Sequence, residues 1–283
     1  MIPAARVVAV GPDRVPLLEA GRGRPVLLVH GAAGDGRVWS PVLAHLPRGL
    51  RALAPTLRWC GPGPWRRDGP PFGTRTHAAD LAALIEALGL GPLPVVGWST
   101  GADVALRLLG NRPDLVARAL LYDPGAPGLV QDPVRAARVG ADAAAAFGPV
   151  VSAAETGDLA AAVARLHDAG GGPGAWDALP AARRDQALDS APTIPRLLAA
   201  GPGDVPLGAL DRNRVPLRVL WGARSRPVWV LPSRAAARLP GAEGGAVAGA
   251  DHLWPLREPA AFARRTALWL DGAPLEPDAW EEA

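Results

Sequence analysis

The sequence predicts an α/β protein, a doubly wound and mostly parallel sheet with an inserted helical cap. Three observations predict it. Short continuous apolar runs such as Pro25-Val26-Leu27-Leu28-Val29 have no polar face, as strands buried on both sides of a parallel sheet require. These runs alternate with stretches of helical periodicity, the pattern of successive strand–helix units. Between about Gly125 and Arg214 the alternation stops, and an Ala-rich stretch without strand signals takes over.

In chain order, Arg6–Val10 and Val15–Glu19 flank a Gly11-Pro12-Asp13 turn and read as an opening hairpin. Pro25–Val29 follows as a buried strand ending at His30-Gly31-Ala32-Ala33-Gly34. Trp39–Leu46 is expected to be a helix, Arg51–Ala54 a strand, and 58–73 a loop rich in Gly, Pro and Trp. Thr76 is expected to cap a helix through Leu88, with Leu81, Leu84, Ile85 and Leu88 at helical spacing. A strand from Leu93 and its helix come next, then the buried strand Arg118–Tyr122 closed by Asp123-Pro124. Helical periodicity in the insertion is clearest over Ala154–Leu166 and Trp176–Leu188. The alternation resumes with Pro216–Trp221 (strand), Pro232–Leu239 (helix), Gly244–Val247 (strand) and Pro259–Leu270 (helix), before a loose acidic tail, Glu276–Ala283. A core domain of residues 1–124 and 215–283 with a cap of 125–214 is the expected organisation.

A chain of 283 residues can bury one full core plus an insertion. No apolar run approaches the ~20 residues that a bilayer span needs, and Met1–Val10 lacks the features of a secretory signal. Cys60 is the single cysteine, so no intramolecular disulfide can form, and a cytoplasmic location is the expectation. All 30 basic side chains are arginine, yet the net charge is only +3, so neither a nucleic-acid surface nor a membrane surface is expected. The absence of lysine matches the codon bias of a GC-rich genome. No P-loop, dinucleotide fingerprint or Cys/His ligand cluster is present, so no cofactor and no metal are expected.

The chemistry concentrates at Gly97-Trp98-Ser99-Thr100-Gly101, a G-x-S-x-G turn between an apolar strand and an amphipathic helix. A serine at the tip of so sharp a turn is strained, and side chains two positions either way would collide; Gly97 and Gly101 remove them. The following helix points its free N–H groups at Ser99, where negative charge on a substrate oxygen would be stabilised. A serine needs a base and the base an orienting group. Of the five histidines, His252 lies in a loop between the last strand and last helix, at the sheet edge where such folds present ligands. His45 and His77 fall on predicted helices, His167 in the cap, and His30 at the end of a strand.

The acid is less direct. The turn after strand Pro216–Trp221 carries Ser225, which is uncharged, where a carboxylate commonly stands. Asp123 is the substitute, since it ends the strand next after that of Ser99; its plainer reading is an Asp-Pro turn starter. Asp251 abuts His252 in sequence, where side chains usually diverge, Asp103 reads as serving its helix N-terminus, and Asp80 reads as a helix-face residue. The oxyanion donors are expected to be the N–H of Thr100 and that of Ala32, with Ala33 as second choice.

Together, His30-Gly31, the Ser99 turn, an acid at the end of strand six and a late histidine resemble the α/β-hydrolase superfamily over nearly the whole chain apart from the cap. Leu121-Tyr122-Asp123-Pro124 is similar to a bacterial branch with Tyr-Glu-Pro-Pro at this point and no acid after strand seven. The resemblance implies Ser99, Asp123 and His252 as a catalytic triad. Two departures stand out: Trp98 replaces a frequent histidine, and aspartate replaces glutamate, one methylene shorter.

Ten tryptophans against three phenylalanines and one tyrosine suggest an apolar or aromatic acyl pocket. Trp98, Trp254 and Ala33 are the expected substrate contacts; Trp59 and Trp65 could add to the wall or simply pack, while Trp176, Trp229 and Trp269 are assigned to packing. Cap arginines such as Arg135, Arg138, Arg165, Arg183 and Arg184 read as a solvated face. The expected reaction is hydrolysis of an ester, thioester or lactone on a small acyl substrate through an acyl-enzyme. A serine nucleophile argues against epoxide or haloalkane chemistry, which would need Asp. Two alternatives remain: an acyltransferase or cyclase of secondary metabolism using the same residues, and a ligand-binding protein with little turnover, the latter motivated by Ser225.

Overall fold

The computed structural model describes residues 2–66 and 68–274. Eight strands form one sheet: β1 (Pro3–Val10), β2 (Asp13–Gly21), β3 (Arg24–Val29), β4 (Leu50–Pro55), β5 (Leu93–Trp98), β6 (Val116–Tyr122), β7 (Leu217–Gly222) and β8 (Ala242–Val247). Their spatial order is β1-β2-β4-β3-β5-β6-β7-β8. β1 and β2 pair antiparallel, β2 runs antiparallel to β4, and every later pairing is parallel. The opening hairpin turns at Gly11, whose φ of +56° suits glycine.

Why the apolar runs are continuous is visible in β3. Leu27 and Val29 enter one core with Leu53, Val95 and the helices Thr74–Ala87 and Thr100–Asn111. Val26 and Leu28 enter a second core on the other face, with Val96, Leu120, Phe262 and the helices Ser40–His45 and Pro259–Leu270. Alternate residues point to opposite faces, and both faces are covered, so neither set can be polar.

After β3 the chain first builds β4 on one side, then returns to place β5 on the other. This reversal of strand order leaves a crevice beyond the carboxyl ends of β3 and β5, the position where open α/β sheets bind ligands. His30 and Ser99 follow those two ends directly.

Between β6 and β7 the described chain is helical: Pro133–Glu155, Leu159–Gly171, Ala181–Leu188, Ile194–Ala200 and Leu207–Leu210, joined by short turns. The stretch expected as one helix over Ala154–Leu166 is instead broken at 156–158. Gly157 has φ +81°, and Asp158 caps the next helix by accepting from Ala161 N–H at 2.9 Å. The helix expected from Trp176 starts at Ala181, after Pro180. The one expected over Pro232–Leu239 runs Pro227–Ala236, with Pro227 in its first turn. The Thr76 cap is also displaced: the helix begins at Thr74, and the Thr74 hydroxyl donates to Asp204 O. Trp39–Leu46 is a 3₁₀ turn over Gly36–Trp39 followed by the Ser40–His45 helix. The acidic tail at Glu276–Ala283 lies outside the described residues.

Candidate active site

β5 delivers Ser99 at φ +56°, ψ −127°, a conformation that an L-residue holds only when its surroundings impose it. The flanking glycines are sterically required. A Cβ at Gly97 would lie 2.6 Å from Gly101 O, and one at Gly101 would lie 2.2 Å from Val29 O. The loop after β3 passes as closely, since a Cβ at Gly31 would come 3.1 Å from Ser99 Cβ.

His252, on the loop after β8, places Nε2 3.0 Å from Ser99 Oγ and Nδ1 2.9 Å from Asp123 Oδ2. With Nδ1 donating to Asp123 Oδ2, Nε2 is left to accept from the Ser99 hydroxyl. Asp123 is fully buried. Its Oδ1 accepts from Gly222 N–H at 3.2 Å, and Oδ2 accepts a second hydrogen bond from the Ser225 hydroxyl at 2.6 Å. The shorter aspartate therefore reaches the imidazole, with its own backbone at φ +49°.

Two residues, one just before Ser99 and one just before Asp123, hold the histidine loop. Trp98 Nε1–H donates to His252 O at 2.9 Å, and the Tyr122 hydroxyl donates to Asp251 O at 2.5 Å. Position 98, where the sequence departs from a frequent histidine, thus carries a donor that holds the His252 backbone. Asp251 itself turns away: its carboxylate accepts from Leu253 N–H and pairs with Arg257.

Ser99, His252 and Trp98 open onto a cavity of about 730 Å³, lined also by Ala32 and Thr100 and walled largely by apolar side chains including Phe72, Phe147, Val150 and Leu166. His30 does not enter it. Its Nδ1–H donates to Gly31 O at 2.8 Å, its Nε2 accepts from Leu57 N–H at 3.0 Å, and burial pushes its pKa down, so a neutral ring ties the loop to the segment just after β4.

Two expected substrate contacts are corrected. Trp254 is absent from the cavity wall; it is buried against Tyr122 and Phe262, with ring centroids 5.3 and 5.2 Å away, because the short helix it starts turns it into the core. Ala33, at φ +49°, packs with Val163 and Ile194 of the helical segment rather than facing the cavity. Trp59 lies under Arg196 and Trp65 bonds Cys60 O, both away from the cavity. Asp80 pairs with Arg58, and Asp103 bonds across to the chain after β6 rather than to its own helix.

Trp229, assigned above to packing, stacks on the His252 ring at 3.7 Å and 12° and lines the cavity. Nothing in its sequence neighbourhood marks it, since the contact joins the helix after β7 to the loop after β8.

A strained serine at the switch point, an imidazole on its hydroxyl and a buried carboxylate behind the ring thus form one hydrogen-bonded line. The chain belongs to the alpha/beta hydrolase family, whose sequence profile matches residues 26–265. It is 40% identical to the lipase LipV of Mycobacterium tuberculosis over 35% of this chain and 36% of that protein. It is 32% identical to a soluble epoxide hydrolase of Corynebacterium sp. over 42% of this chain and 40% of that one. The matched segments span well under half of either relative. An esterase structure from Rhodococcus sp. ECU1013 shares the fold, with a TM-score of 0.76 at 24% identity, covering 97% of this chain and all of the other.

Proposed function

We propose that the protein is a serine hydrolase of carboxylic esters acting through an acyl-enzyme. The observation that carries this reading is the continuous hydrogen-bonded line Ser99–His252–Asp123 at the edge of an apolar cavity. Ser99 Oγ attacks the substrate carbonyl carbon while His252 Nε2 takes its proton. Asp123 stabilises the resulting imidazolium. Oxygen charge in the tetrahedral intermediate is met by the N–H groups of Thr100 and Ala32, both beside Ser99 on the cavity wall. His252 returns the proton to the departing alkoxide, and a water activated by the same ring then frees the acid.

Residues 125–214 act in this reading as a cap that closes the cavity over the sheet edge, supplying Phe147, Val150 and Leu166. The substrate is a small acyl compound with an apolar body. Ser225, the ground for a non-catalytic ligand-binding protein, bonds the carboxylate that contacts His252, and that reading loses its motivation. A fluorophosphonate should label the folded protein, and Ser99→Ala should abolish both labelling and p-nitrophenyl ester hydrolysis. Absence of labelling in folded wild-type protein would overturn the proposal.

A further inference from the structure

One buried carboxyl on the cavity wall has no part in that chemistry. Asp103 lies four residues past Ser99, roughly 6 Å along the helix at 1.5 Å per residue, and its N–H donates to Ser99 O at 3.2 Å. The residue is 4% exposed and lines the same cavity as Ser99 and His252. Oδ1 accepts from the N–H groups of Gly125 and Ala126, each at 3.0 Å. Oδ2 has no hydrogen-bond partner among the described residues. Gly203 packs directly against the carboxyl, since a Cβ there would come 2.5 Å from Oδ2.

The cations that could neutralise this group are engaged elsewhere. Arg107, one further turn along, donates to Asp204 O at 3.1 Å and pairs with the Asp204 carboxylate. Arg75, the arginine of the cavity lining, also faces Asp204, at 3.8 Å. A carboxylate in an apolar wall without a counter-charge is costly, and burial pushes Asp103 up to about 7 against the two N–H groups that favour its charge. An entering cation would supply the missing partner.

A second side chain on the wall agrees in sign. His167 Nδ1 lies 2.9 Å from Val163 O, which can only accept, so the ring proton sits on Nδ1 and Nε2 is left as an acceptor. Burial lowers its pKa and keeps the ring neutral.

We propose that Asp103 is a specificity-determining residue that pairs with an alkylammonium group carried by the substrate, held one helical turn from the attacked carbonyl. This rests on Ser99 being the nucleophile. The backbone tether through Oδ1 is separable from the charge, because asparagine keeps the accepting oxygen.

Hexylammonium and the near-isosteric 1-hexanol, titrated calorimetrically at pH 8 into wild-type protein and Asp103→Asn, test the assignment without requiring turnover. Wild type should bind the ammonium at least about tenfold more tightly than the alcohol, as expected for a charge-assisted hydrogen bond in a largely apolar cavity. The ratio of affinities should fall about tenfold in the variant. If the variant does not fold, Gly203→Ala, whose methyl would come within 2.5 Å of Oδ2 and so displace the carboxyl, should lower the same ratio. Equal affinities in wild type, or a ratio that neither substitution changes, overturn the role of Asp103. Fluorophosphonate labelling, read separately, reports on Ser99 alone.

Discussion

Ser225 Oγ lies 2.6 Å from Asp123 Oδ2, the same oxygen that receives the His252 Nδ1–H at 2.9 Å. The turn after β7 thus delivers a hydroxyl to the carboxylate rather than a carboxylate to the imidazole. Because β6 and β7 are adjacent and parallel, the ends of both strands meet at the same carboxylate. Here β6 supplies the charge and β7 a donor that orients it.

Asp123→Asn should lower kcat by about 10⁴-fold, since an amide neither holds the imidazole in the required tautomer nor stabilises the imidazolium. Adding Ser225→Asp to that variant should recover part of the loss, because position 225 already contacts the same point. Single-turnover acylation by a p-nitrophenyl ester measures both. Near-normal activity in Asp123→Asn would sink the assignment of the acid.

Trp229→Ala should reduce kcat by about tenfold, the equivalent of ~1.4 kcal/mol, by removing the ring stacked on His252. Trp229→Phe keeps an aromatic face and should retain most of the activity. A comparable loss in both variants, with unchanged melting temperature, would mean that the indole acts through something other than its face.

Asp103 should make stability depend on pH in a definite direction. Its folded-state pKa of about 7 lies above the ordinary 3.8, so its contribution is fully present below about 3.8 and is lost as pH rises through 7. The stability of wild type relative to Asp103→Asn should therefore fall between pH 4 and 8, by up to about 4 kcal/mol. His77, held down to about 4 by burial, acts oppositely, its stabilisation being lost as pH falls below its ordinary 6.5. That change is common to both proteins and cancels in the difference. Paired urea melts across this range provide the measurement, and a pH-independent difference would refute the buried-charge account.

The sheet was legible because its causes are local. β3, β5 and β6 each carry an unbroken apolar run, and each ends on a residue pair, His30-Gly31, Ser99-Thr100 or Asp123-Pro124, whose composition marks a turn rather than more strand. The Ser99 turn was equally legible, since its two glycines answer to backbone atoms a few residues away or on the neighbouring strand. Helix limits between β6 and β7 were less so: alanine-rich sequence is helical nearly everywhere, and only Gly157, Asp158 and Pro180 divide it.

Sequence alone determined the strand alternation, the strained serine and the histidine at the sheet edge, because these follow from periodicity, glycine sterics and position along the chain. Tertiary structure alone decided that Ser225 serves Asp123, that Trp229 covers His252 while Trp254 sinks into the core, and that Asp103 keeps a carboxyl without a cation. Each of those outcomes depends on which side chains from distant segments share a space and exclude water from it. A buried charge or a stacked ring takes its energy from that shared environment, which no stretch of neighbouring residues encodes.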